Sequence, residues 1–275
     1  MSENVFGGRL IIIGGAEDKY NERHILRRFL AMSGGPEASI LIVPVASEFP
    51  EVAAHVYTDV FTTLGAGEVR ALHVATREEA LKIELEQFGG VTGVFISGGD
   101  QARLTSKLGG TPFTHWLKER AEKNEIVLAG SSAGAAGMSR AMIVRGKPSA
   151  YPNAETIRLS PGLGLLGDVI IDQHFSQRNR LSRLITAVSY NPANLGIGID
   201  EDTAIVLHNG LLDVIGSGTV TVLDASGVTF SDIAEHGGSR PFALCNLKLH
   251  ILNNTLRFDM ERREPLEYLS DYTIG

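Results

Sequence analysis

The first 130 residues alternate two hydrophobic patterns, and that alternation decides the fold class. Short β-branched or apolar runs stand at residues 10–13, 40–43, 69–74, 94–97 and 126–129. A continuous apolar run of this length predicts a strand buried on both faces. Between the runs lie segments of helical period. Val52, Val56, Val60 and Leu64 recur every fourth residue, which sets them along one slowly drifting stripe. Pro112 suits the first turn of a helix running to about Lys123. Strand–helix–strand alternation predicts a mostly parallel sheet covered by helices, joined by right-handed crossovers: an α/β fold.

The pattern changes after residue 195. Strands are expected at residues 195–199, 203–207, 211–215 and 219–223, with short gaps. Asn209-Gly210 is a hairpin turn signal, since both residues tolerate positive φ. Residues 245–252 and 255–258 read as a further hairpin around Asn253-Asn254. These strands are expected as antiparallel additions to the same sheet. No Pro/Ser-rich linker divides the chain, so residues 1–275 are read as a single domain.

Composition excludes several classes. Lys plus Arg number 25 against 32 Asp plus Glu, a net charge of −7. Affinity for phosphate comes mainly from clustered Lys and Arg, so nucleic acid is not an expected partner. The lone Cys245 allows no intrachain disulfide and fits a reducing compartment. Met1 to Gly8 shows no long apolar stretch, and Gly14-Gly15 stops the 10–13 run far short of the ~20 residues that span a bilayer. A cytoplasmic protein with no membrane partner is expected.

Gly130-Ser131-Ser132-Ala133-Gly134 directly follows the apolar run at 126–129. It matches G-x-S-x-G in the context that pattern requires, strand then abrupt turn. Such an elbow lifts the Ser132 hydroxyl clear of the sheet edge, and the following helix start aims amide dipoles at a developing oxyanion. A serine nucleophile needs a base and an orienting acid. Of eight histidines, His174 stands apart because it follows Val169-Ile170-Ile171, at the end of an expected strand. Open α/β sheets place their sites at strand carboxyl ends. Asp200-Glu201-Asp202 ends another strand, and spacing does not choose among the three acids. The order Ser, His, acid differs from that of α/β-hydrolases and counts against an esterase of that family.

Gly98-Gly99-Asp100-Gln101 follows the strand at 94–97, and one of its glycines could offer a second oxyanion donor beside the N–H of Ala133. The run Gly14 to Lys19 is too short for G-x-G-x-x-G and lacks the ending of a P-loop, so nucleotide binding is not expected. Arg178, Arg180 and Arg183 begin four residues after His174, and the last two share a helix face, which fits a carboxylate clamp beside the base. Asp172 and His174 lack a third ligand, so neither a metal nor another cofactor is expected.

Together these segments resemble the cyanophycinases, serine exopeptidases of the peptidase E-like family S51. The likeness runs in the family's order through residues 11–18, 97–101, 130–135, 172–178 and 198–204. Asp172-Gln173-His174-Phe175-Ser176-Gln177-Arg178 is its most specific segment. Ser131 and Asn179 depart from the Thr and Gly common there, and the stretch beyond about residue 230 matches weakly. The resemblance implies a three-layer α/β/α sandwich like the class I glutamine amidotransferases, and a homodimer. It implies Ser132 as nucleophile, His174 as base, Glu201 as orienting acid, and the Gly99 and Ala133 N–H groups as oxyanion hole. Gln101, Asp172, Gln173, Arg178, Arg180 and Arg183 would line the substrate pocket, with Asp172 suited to a guanidinium. The implied substrate is cyanophycin, a poly-aspartate backbone with arginine joined to each side-chain carboxyl, and the product β-Asp-Arg. The alternatives are an aspartyl or isoaspartyl dipeptidase of the same family and a non-catalytic binding protein on this scaffold.

Overall fold

The computed structural model describes residues 8–146, 149–235 and 238–267. Met1 to Gly7, and His236 among the histidines, lie outside them. Five parallel strands form the centre: β1 (Arg9–Ile13), β2 (Ser39–Val43), β3 (Glu68–Ala71), β4 (Gly93–Ile96) and β5 (Val127–Ser131). A ribbon of β6 (Ala141–Gly146) and β7 (Ile157–Pro161) follows, then β8 (Val169–Gln173) and β9 (Leu195–Ile199). Next come β10 (Thr203–His208), β11 (Leu211–Gly216), β12 (Val220–Asp224), and the short β13 (Phe230–Ser231) and β14 (Leu244–Cys245). The last are β15 (Lys248–Leu252), β16 (Leu256–Asp259) and β17 (Glu264–Glu267). Among the described residues seven α-helices intervene: α1 (His24–Met32), α2 (Pro50–Thr63), α3 (Arg77–Leu81), α4 (Gln101–Leu108), α5 (Pro112–Glu122), α6 (Ala133–Met138) and α7 (Leu181–Tyr190).

The main sheet has nine strands in the order β17-β16-β11-β10-β1-β5-β4-β2-β3. Alternate residues of one strand serve opposite layers. Ile11 and Ile13 pack with Phe29 of α1 and Phe61 of α2, while Leu10 and Ile12 belong to the core shared with α4 and α5. Burial on both faces is why these strands read as unbroken apolar runs. The α/β sandwich expected from the sequence is what the chain forms.

The C-terminal strands differ from the expectation in one respect. The strands at 195–199 and 219–223 do not join the main sheet. With β8 and β15 they form a second sheet, ordered β15-β12-β9-β8, in which β8 and β9 run parallel. One face of it packs into the large core through Ile171 and Ile197, and the other meets α7 through Ile170 and Leu184. Only β10, β11, β16 and β17 extend the main sheet antiparallel. Accordingly Asn253-Asn254 carries the chain between sheets: β15 pairs with β12, and β16 with β11 and β17. Asn209-Gly210 does make the β10–β11 hairpin, with both residues at positive φ. On α2 the buried face is Ala54, Tyr57, Val60 and Phe61, whereas Val52 is exposed. A strict spacing of four drifts off a helix of 3.6 residues per turn, so the expected stripe leaves the core.

Candidate active site

Both sheets point the carboxyl ends of their parallel strands at one place. Strand β1 ends at Gly14-Gly15, β4 at Gly98-Gly99, β5 at Ser132, β8 at His174 and β9 at Asp200-Glu201. Backbone hydrogen bonds knit these ends together. The Ser132 N–H donates to the Ile13 carbonyl at 3.0 Å, and the His174 N–H to that of Gly14 at 2.8 Å. The Asp202 N–H donates to the Gly15 carbonyl at 2.9 Å.

Ser132 sits between strand and helix at φ 52°, ψ −113°, a strained conformation for a residue with a Cβ. The turn is sterically closed around it. A Cβ on Gly130 would lie 2.7 Å from Met138 Sδ, and one on Gly134 2.3 Å from the Ile96 carbonyl oxygen. Ser132 Oγ lies 2.8 Å from His174 Nε2, and His174 Nδ1 lies 2.7 Å from Glu201 Oε1. An ionised carboxylate only accepts, so Nδ1 carries the proton and Nε2 is left to accept from the serine hydroxyl.

The three neighbouring acids have separate partners. Asp200 accepts from the Ser176 N–H and hydroxyl at 3.0 and 2.6 Å, and from the Thr219 N–H and hydroxyl at 3.1 and 2.9 Å. Burial alone would raise its carboxyl, but these four donors outweigh burial and hold it below the usual carboxylate range. Asp202 accepts from the Asp18 N–H and the Ser217 hydroxyl, each at 3.0 Å. Glu201 is the member that reaches the imidazole.

His174 itself is pulled below its ordinary pKa. Burial is the largest cause, and the nearby Arg178 and Arg180 also oppose a positive imidazolium, while the Glu201 hydrogen bond works the other way. The shift favours the neutral ring, the form that can accept a proton.

A cavity of about 740 Å³ opens beside Ser132, and Gly99, Gln101, Gln173, Arg178, Arg180 and Arg183 help line it. Gly98 lies against the serine: a Cβ there would stand 3.2 Å from that of Ser132. Ala133 is the first residue of α6, so its N–H has no carbonyl within the helix to donate to.

Asp172 is placed differently from the expectation. It is fully buried and stands below the cavity, with both oxygens taken. Arg183 Nε donates to Oδ2 at 2.6 Å and its Nη2 to Oδ1, while Arg180 Nη1 reaches Oδ1 at 3.2 Å. No oxygen is left free for a substrate guanidinium. Arg180 also donates to the Gln173 carbonyl, and burial lowers its pKa to about 10 against the pull of Asp172. Arg178 is exposed. Among the described residues, the carboxylate that lines the cavity is Glu155, in the short turn before β7, a position with no local signal because the ribbon folds back over the site.

Sequence reasoning gave no role to Glu17, in the loop after β1. Glu17 is 3% exposed, and its Oε2 accepts from the Ser131 hydroxyl at 2.6 Å. Its Oε1 accepts from the Tyr57 hydroxyl and pairs with Lys19 at 3.0 Å. The available signal was Gly14-Gly15 following a strand, the same pattern as Gly98-Gly99.

A strained serine after a parallel strand, touching a histidine that a carboxylate holds, is the constellation of serine hydrolases. Comparison with known proteins narrows the class. The model of peptidase family S51 matches residues 10–215, and the chain belongs to that family. It is 38% identical over 259 residues to a cyanophycinase of Geminocystis herdmanii, covering 94% of this chain and 95% of that one. It is 42% identical over 249 residues to a cyanophycinase of Synechococcus elongatus, covering 90% and 77%. A solved peptidase from an acI-B1 Actinobacterium superposes with a TM-score of 0.65 at 22% identity, over 95% of this chain and 97% of that one, and shares the fold. Among the described residues no helix is long and apolar enough to cross a membrane.

Proposed function

We propose that this family S51 peptidase is a serine exopeptidase that hydrolyses cyanophycin to β-Asp-Arg, with Ser132, His174 and Glu201 as its triad. The observation that carries this reading is the Ser132–His174–Glu201 chain of hydrogen bonds opening on a cavity edged by Arg178, Arg180 and Arg183. A cavity so cationic, in a chain of net charge −7, favours a carboxylate-bearing substrate. The relatives named cyanophycinase support the same substrate.

In this mechanism Nε2 of His174 takes the proton of Ser132 as Oγ attacks the scissile carbonyl. The oxyanion forms toward the N–H groups of Ala133 and Gly99. Collapse breaks the C–N bond, and the imidazolium returns its proton to the leaving amine. Water then attacks the acyl-serine, giving its proton to Nε2, and the free serine is regenerated. Glu201 holds the tautomer throughout. Arg180 and Arg183, fixed from beneath by Asp172, would present cations to the substrate carboxylate, with Arg178 at the rim. Gln101 and Gln173 would complete the pocket wall. Of the charged side chains that the described residues place around the cavity, Glu155 is the one with a carboxylate to offer a guanidinium. The protein is taken to act as a cytoplasmic homodimer.

The test is incubation with cyanophycin followed by mass analysis of the products. Stepwise release of single β-Asp-Arg units is expected. An intact polymer, or release of free arginine alone, would overturn the reading.

A further inference from the structure

The β6–β7 ribbon holds two arginines against each other. Arg145 and Arg158 are cross-strand partners, both exposed, and neither shares an ion pair with a carboxylate of the described residues. Like charges directly opposite on paired strands repel. The register slips between Ile143 and Arg145, and such a bulge re-aims the side chains beside it.

The ribbon is anchored to the catalytic cavity on both sides of that bulge. Gln101 Nε2 donates to the Ile143 carbonyl at 2.8 Å, and Arg183 Nη1 to the Gly146 carbonyl at 3.2 Å. The ribbon also separates two hollows. Beyond it, toward Thr105 and Ser106 of α4, lies a second cavity of about 720 Å³. Val144, Arg145 and Arg158 border both. Among the described residues, Arg145 and Arg158 are the ionisable ones lining the second cavity.

We propose that Arg145, Arg158 and this second cavity form a subsite for the carboxylates of polymer units beyond the two joined by the scissile bond. The inference rests on the substrate reading above. In such a polymer each arginine is joined through its amine, so its own carboxylate stays free and recurs once per unit. A carboxylate seated between the two arginines would relieve their repulsion. The shared wall lets one chain occupy both hollows, with the two units that flank the scissile bond at Ser132 and the units after them along the ribbon. An exopeptidase acting on a long chain gains from holding the part it has not yet cut, since a second contact on a tethered ligand forms at high effective concentration.

The experiment compares the long polymer with the two-unit oligomer, which contains a single scissile backbone bond. Exposed charge pairs are individually weak, so the double variant Arg145→Ala/Arg158→Ala should lower the ratio of kcat/KM on polymer to that on the two-unit substrate by about 5- to 30-fold. Arg145→Glu/Arg158→Glu should lower it further, and Arg145→Lys/Arg158→Lys should restore part of it. In a Ser132→Ala background, affinity should rise with oligomer length, and the double change should remove that rise. Wild-type protein that leaves both substrates intact overturns the substrate reading and this subsite with it. Wild-type protein that cleaves both, while the double variant keeps the same ratio, overturns the subsite alone.

Discussion

Gly15 lies directly against the ring of His174: a Cβ at Gly15 would stand 2.5 Å from Cε1 and 2.6 Å from Nε2. Gly15 also has φ +96°, and its neighbour Gly14 accepts the His174 N–H. The loop after β1 is therefore the floor on which the imidazole rests. Replacing Gly15 with alanine must push the ring away from Ser132. A displacement near 1 Å costs on the order of 10²-fold in rate. Gly15→Ala should lower kcat by about that factor. The left-handed backbone should add about 1–2 kcal/mol of destabilisation. Steady-state kinetics and denaturant melting check both, and an alanine variant with wild-type kcat would refute the floor.

Ser132→Ala should abolish turnover, by roughly 10⁶ in the comparable protease case. Ser131→Ala is a contrasting change. It removes one donor from buried Glu17, which keeps Tyr57 and Lys19. A cost of about 1–3 kcal/mol in stability is expected, with far less loss of rate. A serine-directed covalent inhibitor should add its mass to the peptide carrying Ser132. Labelling on Ser131 instead would sink the assignment.

The acids should separate in the same way. Glu201→Gln leaves the tautomer of His174 unfixed and should cost up to ~10⁴ in kcat. Asp200→Asn disturbs acceptors for Ser176 and Thr219, so melting temperature should fall more than activity. Asp202→Asn should be milder in rate than Glu201→Gln. Equal losses of kcat in all three would mean that the carboxylates act as a common field.

Much of this geometry was legible in the sequence, and the reason differs by residue. Ile11 to Ile13 and Val127 to Ala129 announced buried parallel strands because both of their faces meet apolar layers. The turn at Ser132 was legible because so tight a strand-to-helix turn tolerates only small residues at Gly130 and Gly134, which constrains local sequence. His174 was legible from its position after an apolar run. The partner sheet of residues 195–199 was not, since an apolar strand pattern reports burial and not which neighbour supplies it. The partners of Asp172, eight and eleven residues away, were not legible, since they become partners only when α7 packs on β8. The Gly14-Gly15 turn pointed to the loop but not to Glu17, because the contacts of Glu17, Ser131 and Tyr57, are remote in sequence.

The pH dependence follows from the balance at His174. With the neutral imidazole as the proposed base, activity should be present above its pKa and lost as pH falls through it. Burial and the two arginines hold that pKa below 6.5, so the acid limb of kcat/KM should lie below 6.5. Arg178→Ala removes a cation and should move the limb upward. Glu201→Gln removes the group that favours the imidazolium and should move it downward. Stability follows the same sign: the lowered pKa favours the folded state above 6.5, and that contribution disappears as pH falls through the folded value. A limb that Arg178→Ala leaves in place would show that the arginine does not act on the base.

Asp172 yields the sharpest distinction between holding substrate and holding the pocket. Were it a guanidinium receptor, Asp172→Asn would chiefly reduce discrimination between arginine-bearing and uncharged substrates. Its oxygens instead hold Arg183 in a two-pronged pair and Arg180 beside it, all nearly excluded from solvent. Breaking a buried pair from one side leaves charge uncompensated and costs about 3–5 kcal/mol. Asp172→Asn should therefore lower stability by that order and raise KM for every carboxylate-bearing substrate, whatever its side chain. A neutral activated ester, which needs only Ser132, His174 and Glu201, should lose much less. Glu155→Gln supplies the opposite phenotype: unchanged melting, with reduced preference for arginine-bearing substrate by about 10-fold, the size of one charge-assisted hydrogen bond. Measuring melting and kcat/KM for both variants on the three substrate types decides the matter. A stable Asp172→Asn protein that merely loses its preference for arginine would return the guanidinium to Asp172.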